Sequence, residues 1–213
     1  MAEKASEIFM YFCQEATPLT GECQTELAVR GRPKNELLQG FHSGLMFEIS
    51  RFQFGVGIEK VENPASKEIE EFYKSSGRPP PRNKPRPKDL PREASEDTAA
   101  TVHPVTFTRA MDTASSQLLH HTIKCTYFRK VAIVKRKSAG GASAGEAYLR
   151  MDFRGVIIAQ AGWSNEDPIE ESYTLQARAI TMRYRPQLED GTLGASRVGF
   201  WSMVPDAREA DLS

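Results

Sequence analysis

The sequence predicts a mainly β chain: an antiparallel β-barrel or two-sheet sandwich with one flanking α-helix and a long proline-rich insertion. Three observations lead there. Apolar residues recur with the period of two that marks strands in most of the chain, as at Leu45, Phe47 and Ile49 or Leu149, Met151 and Phe153. Only Asp112 to Thr122 carries a firm helical spacing, with Asp112 placed to cap it and Ala114, Leu118 and Leu119 on one face. Lys74 to Arg92 holds six of the thirteen prolines and no strand pattern at all.

Taken in order, Ile8 to Cys13 is apolar at every position, which predicts a strand covered on both faces. From Gly44 the alternation runs Leu45, Phe47, Ile49, then Phe52, Phe54, Val56, and the one-residue slip of phase predicts a bulge near Ser50 and Arg51. Val131 and Ile133 mark one strand, and Leu149, Met151, Phe153 and Ile157 mark the next, with Arg150, Asp152 and Arg154 on its polar side. The glycine- and alanine-rich stretch Ser138 to Gly145 suits the hairpin between them. Tyr173, Leu175, Ala177 and Ala179 read as a further strand, and Arg197 to Met203 as the last one, after an Asp190-Gly191 turn. The 213 residues accommodate one domain with a sizeable core, residues 1–213, and residues 58–101 form an insertion within it.

The insertion opens on Asn63 and Pro64, placed as helix cap and first turn, with Ile69, Phe72 and Tyr73 at helical spacing. Beyond that short helix, Gly77 to Ala100 reads as an exposed basic arm. Between Lys74 and Arg92 seven basic side chains face only Asp89, a local charge of +6 that leaves −6 on the rest of a formally neutral chain. Such a composition buries little apolar surface, and its proline spacing favours an extended polyproline conformation. Arg78, Arg82, Lys84, Arg86, Lys88 and Arg92 are therefore the candidate interface residues, for contact with another subunit or ring, while a solvated linker and a separate partner or polyanion remain alternatives. Nucleic acid is disfavoured, since no aromatic residue lies between Tyr73 and Phe107 to stack on bases.

Composition excludes several classes. No apolar run approaches the roughly 20 residues that span a bilayer, and the charged stretch Met1 to Glu7 lacks the apolar core of a signal peptide. The chain is expected to fold in the cytoplasm. Cys13, Cys23 and Cys125, odd in number and without metal-ligand spacing, suit reduced thiols. Gly141 to Gly145 matches the nucleophile-elbow pattern around Ser143, but it lies between two strands and all four histidines precede it, so a flexible hairpin is the better reading. His120 and His121 diverge by about 100° on a helix and cannot share a metal from there. Gly55-Val56-Gly57 lacks the third glycine and following helix of a nucleotide loop. No catalytic, cofactor-binding or metal-ligating residue is assigned.

The C-terminal half carries a resemblance. Val105 to Leu119 is similar to the strand-then-helix segment of the haemolysin-coregulated protein (Hcp) family, the inner-tube proteins of type VI secretion systems. More specific are Tyr184, Pro186, Gln187, Asp190, Gly191, Gly194 and, at the family spacing, Trp201, which resemble the family's penultimate strand, turn and final strand. Ile8 to Cys13, the Gly21-Glu22 turn and Gly44 to Gly57 are similar to the N-terminal hairpin region, so the resemblance covers about four fifths of the chain. Ser202 stands where the family commonly has an acidic or amide residue, and Ile58 to Thr101 is longer and richer in proline than the usual extended loop.

The resemblance implies a non-enzymatic tube subunit that forms hexameric rings, stacked into a hollow tube inside a contractile sheath on a baseplate. It implies expulsion with a spike protein of the valine-glycine repeat family, effectors in the lumen, and secretion without a signal peptide after cytoplasmic assembly. A phage-like tail tube subunit is the near alternative, and an adaptor using its basic arm the distant one. On elementary grounds, Gly191 and Gly194 suit a turn with positive φ, Pro186 ends a strand, and Trp201 is large enough to seal a small barrel.

Overall fold

A computed structural model describes residues 7–13, 19–27, 35–60, 75, 98–137, 145–165 and 167–203. The chain divides into two compact units, Met1–Phe54 with Pro104–Ser213, and Gly55–His103.

The larger unit is an antiparallel sheet built around one long strand, β8 (Ala147–Trp163). Along one edge of its first half runs β7 (Phe128–Arg136), which pairs in turn with β1 (Ile8–Cys13), and β1 with β2 (Phe47–Glu48). Along the other edge lie, successively, β10 (Ala179–Tyr184) and β9 (Glu170–Gln176), the first continuing to β11 (Arg197–Ser202) and the second to β6 (Val105–Ala110) and β3 (Arg51–Gln53). The sheet thus forks into two wings along β8. The fork lies at Gly155, where φ is +61° and an added Cβ would meet the Tyr127 hydroxyl at 3.0 Å and Arg178 Cδ at 3.1 Å. Opposite it the chain breaks at 177–178, so the strand expected from Tyr173 to Ala179 is two strands that use the two halves of β8.

The ladder is not closed. Its ends, β2 and β3, are consecutive pieces of chain joined by Ile49 and Ser50, whose N–H groups bond Ile8 at 3.0 Å and Thr108 at 2.8 Å. The expected slip near Ser50 is this crossing from β1 to β6. It turns Phe47 inward from one wing and Phe52 from the other.

Paired residues project to the same face, and the two faces of the β1–β7–β8 wing are both covered. On the inner face Phe12 packs on Phe47 (centroids 5.7 Å) and Phe128 (4.8 Å), Phe47 on Phe107 (6.4 Å), and Phe107 on Tyr173 (5.1 Å). These rings fill the space between the wings. On the outer face Phe9, Ala132 and Val134 are capped by Leu27, Leu37, Phe41 and Met46, from the described parts of residues 19–46. Continuous apolarity in Ile8 to Cys13 has this double cover as its reason. A short 3-10 helix, Glu36–Leu38, anchors the cap: Asn35 accepts the Leu37 N–H at 3.0 Å and donates to the Ala147 carbonyl at 2.7 Å.

The helix α1 spans Ala114–Ile123 and rests on β8. Asp112 accepts the Ala114 N–H at 2.7 Å while Ser115 Oγ accepts the Asp112 N–H at 3.0 Å, a reciprocal cap that stops the strand β6 from running on. Ala114, Ser115 and Leu118 face the sheet, whereas Leu119, expected on that face, is exposed. The helix ends as Cys125 takes φ +48° and its N–H bonds the Thr122 carbonyl.

The smaller unit contains a hairpin of β4 (Val56–Lys60) and β5 (Thr98–Val102), closed at its base by the His103 N–H bonding the Gly55 carbonyl at 3.0 Å. The strand β5 includes residues 98–100, which the sequence had placed in the arm. The expected lead-in helix, Asn63 to Tyr73, and the six arm cations lie outside the described residues.

Candidate functional site

The C-terminal motif residues gather on one structure, the β10–β11 hairpin and its connection. Gly191 adopts φ +82° at the turn, as expected, whereas Gly194 does not need a positive φ. A side chain at Gly194 would instead meet Leu188 Cδ2 at 3.2 Å and Pro186 Cγ at 3.3 Å. Its N–H bonds the Pro186 carbonyl at 2.8 Å, Gln187 bridges Leu193, and Leu188 donates to Thr192 at 2.9 Å. Asp190 accepts both the Thr192 N–H (2.9 Å) and hydroxyl (2.6 Å), bonds that lower its pKa. Arg185 holds the far side through the Gly194 and Leu193 carbonyls, at 3.0 and 3.1 Å. Lys137 donates to the Gln187 side-chain oxygen, tying the connection to the end of β7.

Trp201 and Tyr184 do not seal the core. Trp201 is half-buried opposite Ile180 on β11, and Tyr184 is 41% exposed at the end of β10, with its ring 6.3 Å from that of Tyr148. The core is closed instead by the Phe12–Phe47–Phe107–Tyr173 rings, and β11 lies outside them, paired among the described residues with β10 alone. Trp201→Ala is accordingly expected to cost about 1–2 kcal/mol, below the roughly 3–5 kcal/mol of a fully buried Trp. Urea unfolding of the variant measures it.

The larger unit holds two buried charge networks. At the helix end of the sheet Arg109, 1% exposed, contacts Asp112, lies 3.7 Å from Glu171 and stacks over Phe47 at 4.5 Å. Glu171 also accepts from Ser115 at 2.9 Å and from the Trp163 indole at 2.8 Å, which fixes α1 against β9. Burial, then the Glu171 charge, pushes the neighbouring Tyr173 phenol up.

The second network centres on Asp152 in β8, directly between Ala132 and Thr181 in register. Arg150 reaches it with Nε at 3.0 and 2.9 Å and Nη2 at 2.8 Å, Lys130 from β7 at 3.0 Å, and Arg183 from β10 at 2.6 Å. Arg150 spends its remaining Nη1 on the Leu37 and Gln39 carbonyls at 2.8 and 2.7 Å, so the cap over the outer face is held from the same centre. Burial would raise the Asp152 pKa, but the Arg150 bonds and charge, with those of Lys130, outweigh it and hold the carboxyl below its ordinary value. Alternation marks Arg150, Asp152 and Arg154 as a polar side of the strand. It gives no sign that residues 35–42 fold back to bury that side.

Among the described residues no group of three or more His, Cys, Asp or Glu is placed to hold a metal. His120 and His121 sit in the last turn of α1, and His121, its pKa lowered first by burial and then by the His120 and Lys124 charges, lies 3.0 Å from the Thr126 hydroxyl. Ser143 lies outside the described residues. No helix among the described residues is long and apolar enough to cross a membrane. Among the described residues β11 pairs with β10 alone, and exposed near it are apolar side chains (Met182, Val198, Leu188) and an acidic turn at Glu189-Asp190. This is a surface suited to association.

Residues 83–184, from before β5 to the end of β10, match the family model described as type VI secretion system effector, Hcp. Over these residues, a little under half of the chain, the sequence is of Hcp type. No curated protein sequence matches it. In fold, the chain is similar over 93% of its length to 96% of a chain described as a type six secretion system protein, with a TM-score of 0.62 and 16% identity. It is also similar to Hcp1 from Salmonella typhimurium (TM-score 0.58, 15% identity, 92% of this chain and 93% of that one). A third likeness is to the secreted protein Hcp3 from Pseudomonas aeruginosa (TM-score 0.51, 17% identity, 91% and 99%). At such identities the likeness to these structures is one of fold.

Proposed function

We propose that this protein is a tube subunit of a type VI secretion system. Hexameric rings of it stack into a hollow tube within the contractile sheath, and the tube is expelled with the spike protein, carrying effectors in its lumen. The subunit is made in the cytoplasm, is then secreted, and works as a structural part rather than an enzyme. The family match over residues 83–184 is the observation that carries this reading. The place of β11, paired with β10 alone among the described residues, and the half-exposed apolar residues on β10 and β11 support it, since repeated subunits bury such surface against one another. Electron microscopy of the purified protein tests it: closed sixfold rings are expected, and a monomer at high concentration would remove the reading and favour an adaptor.

The arm belongs to the same proposal. Arg78, Arg82, Lys84, Arg86, Lys88 and Arg92 concentrate +6 on one segment while the remainder carries −6, so each arm is favoured against the acidic surface of a neighbouring subunit or ring. The motif residues Tyr184, Pro186, Gln187, Asp190, Gly191, Gly194 and Trp201 shape the β10–β11 hairpin, which belongs to the same proposed assembly surface. Exposed pairs contribute only about 0–1 kcal/mol each, but they repeat around a ring. Changing Arg82, Lys84, Arg86 and Lys88 together to glutamate is expected to shorten tubes while the subunit melting temperature stays nearly constant. Stacking should also weaken as salt shortens the Debye length from about 10 Å at 0.1 M to 3 Å at 1 M. Unchanged tube lengths of the quadruple variant at low salt would show the arm to be a solvated insertion.

A further inference from the structure

We propose that the exposed step formed by Trp163, Ile169 and Met111 in one copy of this chain is the docking site for the proline-rich arm, residues 78–92, of a neighbouring copy. The inference rests on the arm reading above and names the surface that receives the arm.

The step lies at one end of the larger unit. Trp163, Glu171 and Arg109 stand in register across β8, β9 and β6. The Met111 N–H bonds the Ile169 carbonyl at 3.2 Å, which carries the β6–β9 ladder past Ala110 and Glu170 and, by the alternation of strands, places Met111 and Ile169 beside that row on its face. Exposures of 52% at Met111, 42% at Ile169 and 44% at Trp163 make this a group of large apolar side chains rather than a single one. The indole is held in one orientation: its N–H donates to Glu171 at 2.8 Å, and its ring lies 6.5 Å from that of Tyr173. A fixed, half-open indole beside two aliphatic side chains is a surface on which proline rings pack, with little side-chain freedom left to lose.

Charge selects the occupant. Arg109 contacts Asp112 and lies 3.7 Å from Glu171, Glu170 lies 3.8 Å from Arg51, and Asp167 is exposed in the turn between β8 and β9. Among the described residues named at this end, four carboxylates thus accompany two guanidinium groups. The arm has the opposite sign: Arg78, Arg82, Lys84, Arg86, Lys88 and Arg92 alternate with Pro79 to Pro81, Pro85, Pro87 and Pro91. Its prolines suit the apolar step, while the cations between them meet Asp167 and Glu170 or stack on the indole. The ten steps of chain from Lys88 to Thr98, where β5 begins, extend about 30 Å at the polyproline rise of about 3.1 Å per residue, against a radius of gyration of about 17 Å for a compact chain of this length. The arm is therefore long enough to reach a second copy. Step and arm are different parts of one chain, so the contact is head-to-tail and repeats through an assembly.

Tubes assembled from a mixture of unlabelled and nitrogen-15-labelled chains, treated with a carbodiimide and digested for mass spectrometry, test the docking. The expected product is an amide between Lys84 or Lys88 Nζ and Asp167 or Glu170 in which one peptide is labelled and the other is not. Met111→Ser, Asp167→Asn and Ile169→Ser, combined in one chain, alter only exposed side chains, and a thermal melt checks that the fold is kept. That variant is expected to give about tenfold less of the mixed-isotope product. Its tubes should be as short as those of the arm variant with four glutamates, and combining the two sets of substitutions should shorten them no further. Tubes that form without the mixed-isotope link, a link confined to one isotope, arm lysines joined to other acids instead, or a triple variant with wild-type tubes would each overturn this docking while leaving the ring reading in place. Wild-type tube lengths in the four-glutamate variant would overturn the arm reading with it, and a wild-type chain that forms no rings would overturn all three.

Discussion

Asp152→Ala is expected to destabilise the subunit by about 3–5 kcal/mol, the range seen when one partner of a buried ion pair is removed and the others are left uncompensated. Arg150 is the main cause. Its guanidinium loses three contacts to the carboxylate and remains buried beneath residues 37–39, whose carbonyls it also bonds. The loss should therefore be visible twice, as a lower urea midpoint and as faster amide exchange over the Glu36–Phe41 cap. The pH dependence carries a sign. The folded carboxyl has a pKa below its unfolded value, so its contribution is fully present above the ordinary carboxylate pKa and disappears as pH falls through the lower, folded value. Wild type should lose stability in that acid window more steeply than the alanine variant. Parallel acid limbs for the two proteins would show that Asp152 is not ionised in the fold.

Phe107→Ala is expected to cost a similar amount, about 3–5 kcal/mol, through lost burial and the cavity left behind. Phe107 is 1% exposed on β6, stacked on Tyr173 at 5.1 Å and packed on Phe47, so the rings around it come from β2 and β9 and cannot both close in. Against a typical total of 5–15 kcal/mol, such a loss leaves the subunit marginal. Thermal melts that rank Phe107→Ala well below Trp201→Ala in stability would confirm that the wings close on the phenylalanine stack. The opposite order would return Trp201 to the core.

The two variants separate kinds of information. Phe107 stands at an alternating position between Val105 and Arg109, and its burial follows from the period of a strand with one apolar face. Asp152 stands at an equally regular position on the opposite side of β8, where the same rule places a solvated charge. The rule fails there because a distant stretch, residues 35–42, covers that side, and backbone carbonyls 111 and 113 residues away from Arg150 complete the cluster. Similarly, Trp201 has the size of a core residue, but its strand is the last of its wing, and position in the sheet order decides its exposure.

What the sequence determined by itself was the part that depends on short-range spacing: the antiparallel β character, the strand apolar on both faces, the slip at Ser50, the capped helix at Asp112 and the Asp190-Gly191 turn. The motif from Tyr184 to Trp201 was legible for the same reason, since turns and strand ends are set by glycine and proline within a few residues. Tertiary structure alone decided which strand pairs with which. It made the two halves of β8 serve two wings, split the run from Tyr173 to Ala179 at residues 177–178, and paired β4 with β5 across about forty residues of intervening chain. It also decided which polar side of a strand meets water and which becomes a buried charge centre. Periodicity specifies that a strand has two faces; what covers each face depends on where the rest of the chain returns, and that is a sum over long-range contacts no local pattern contains.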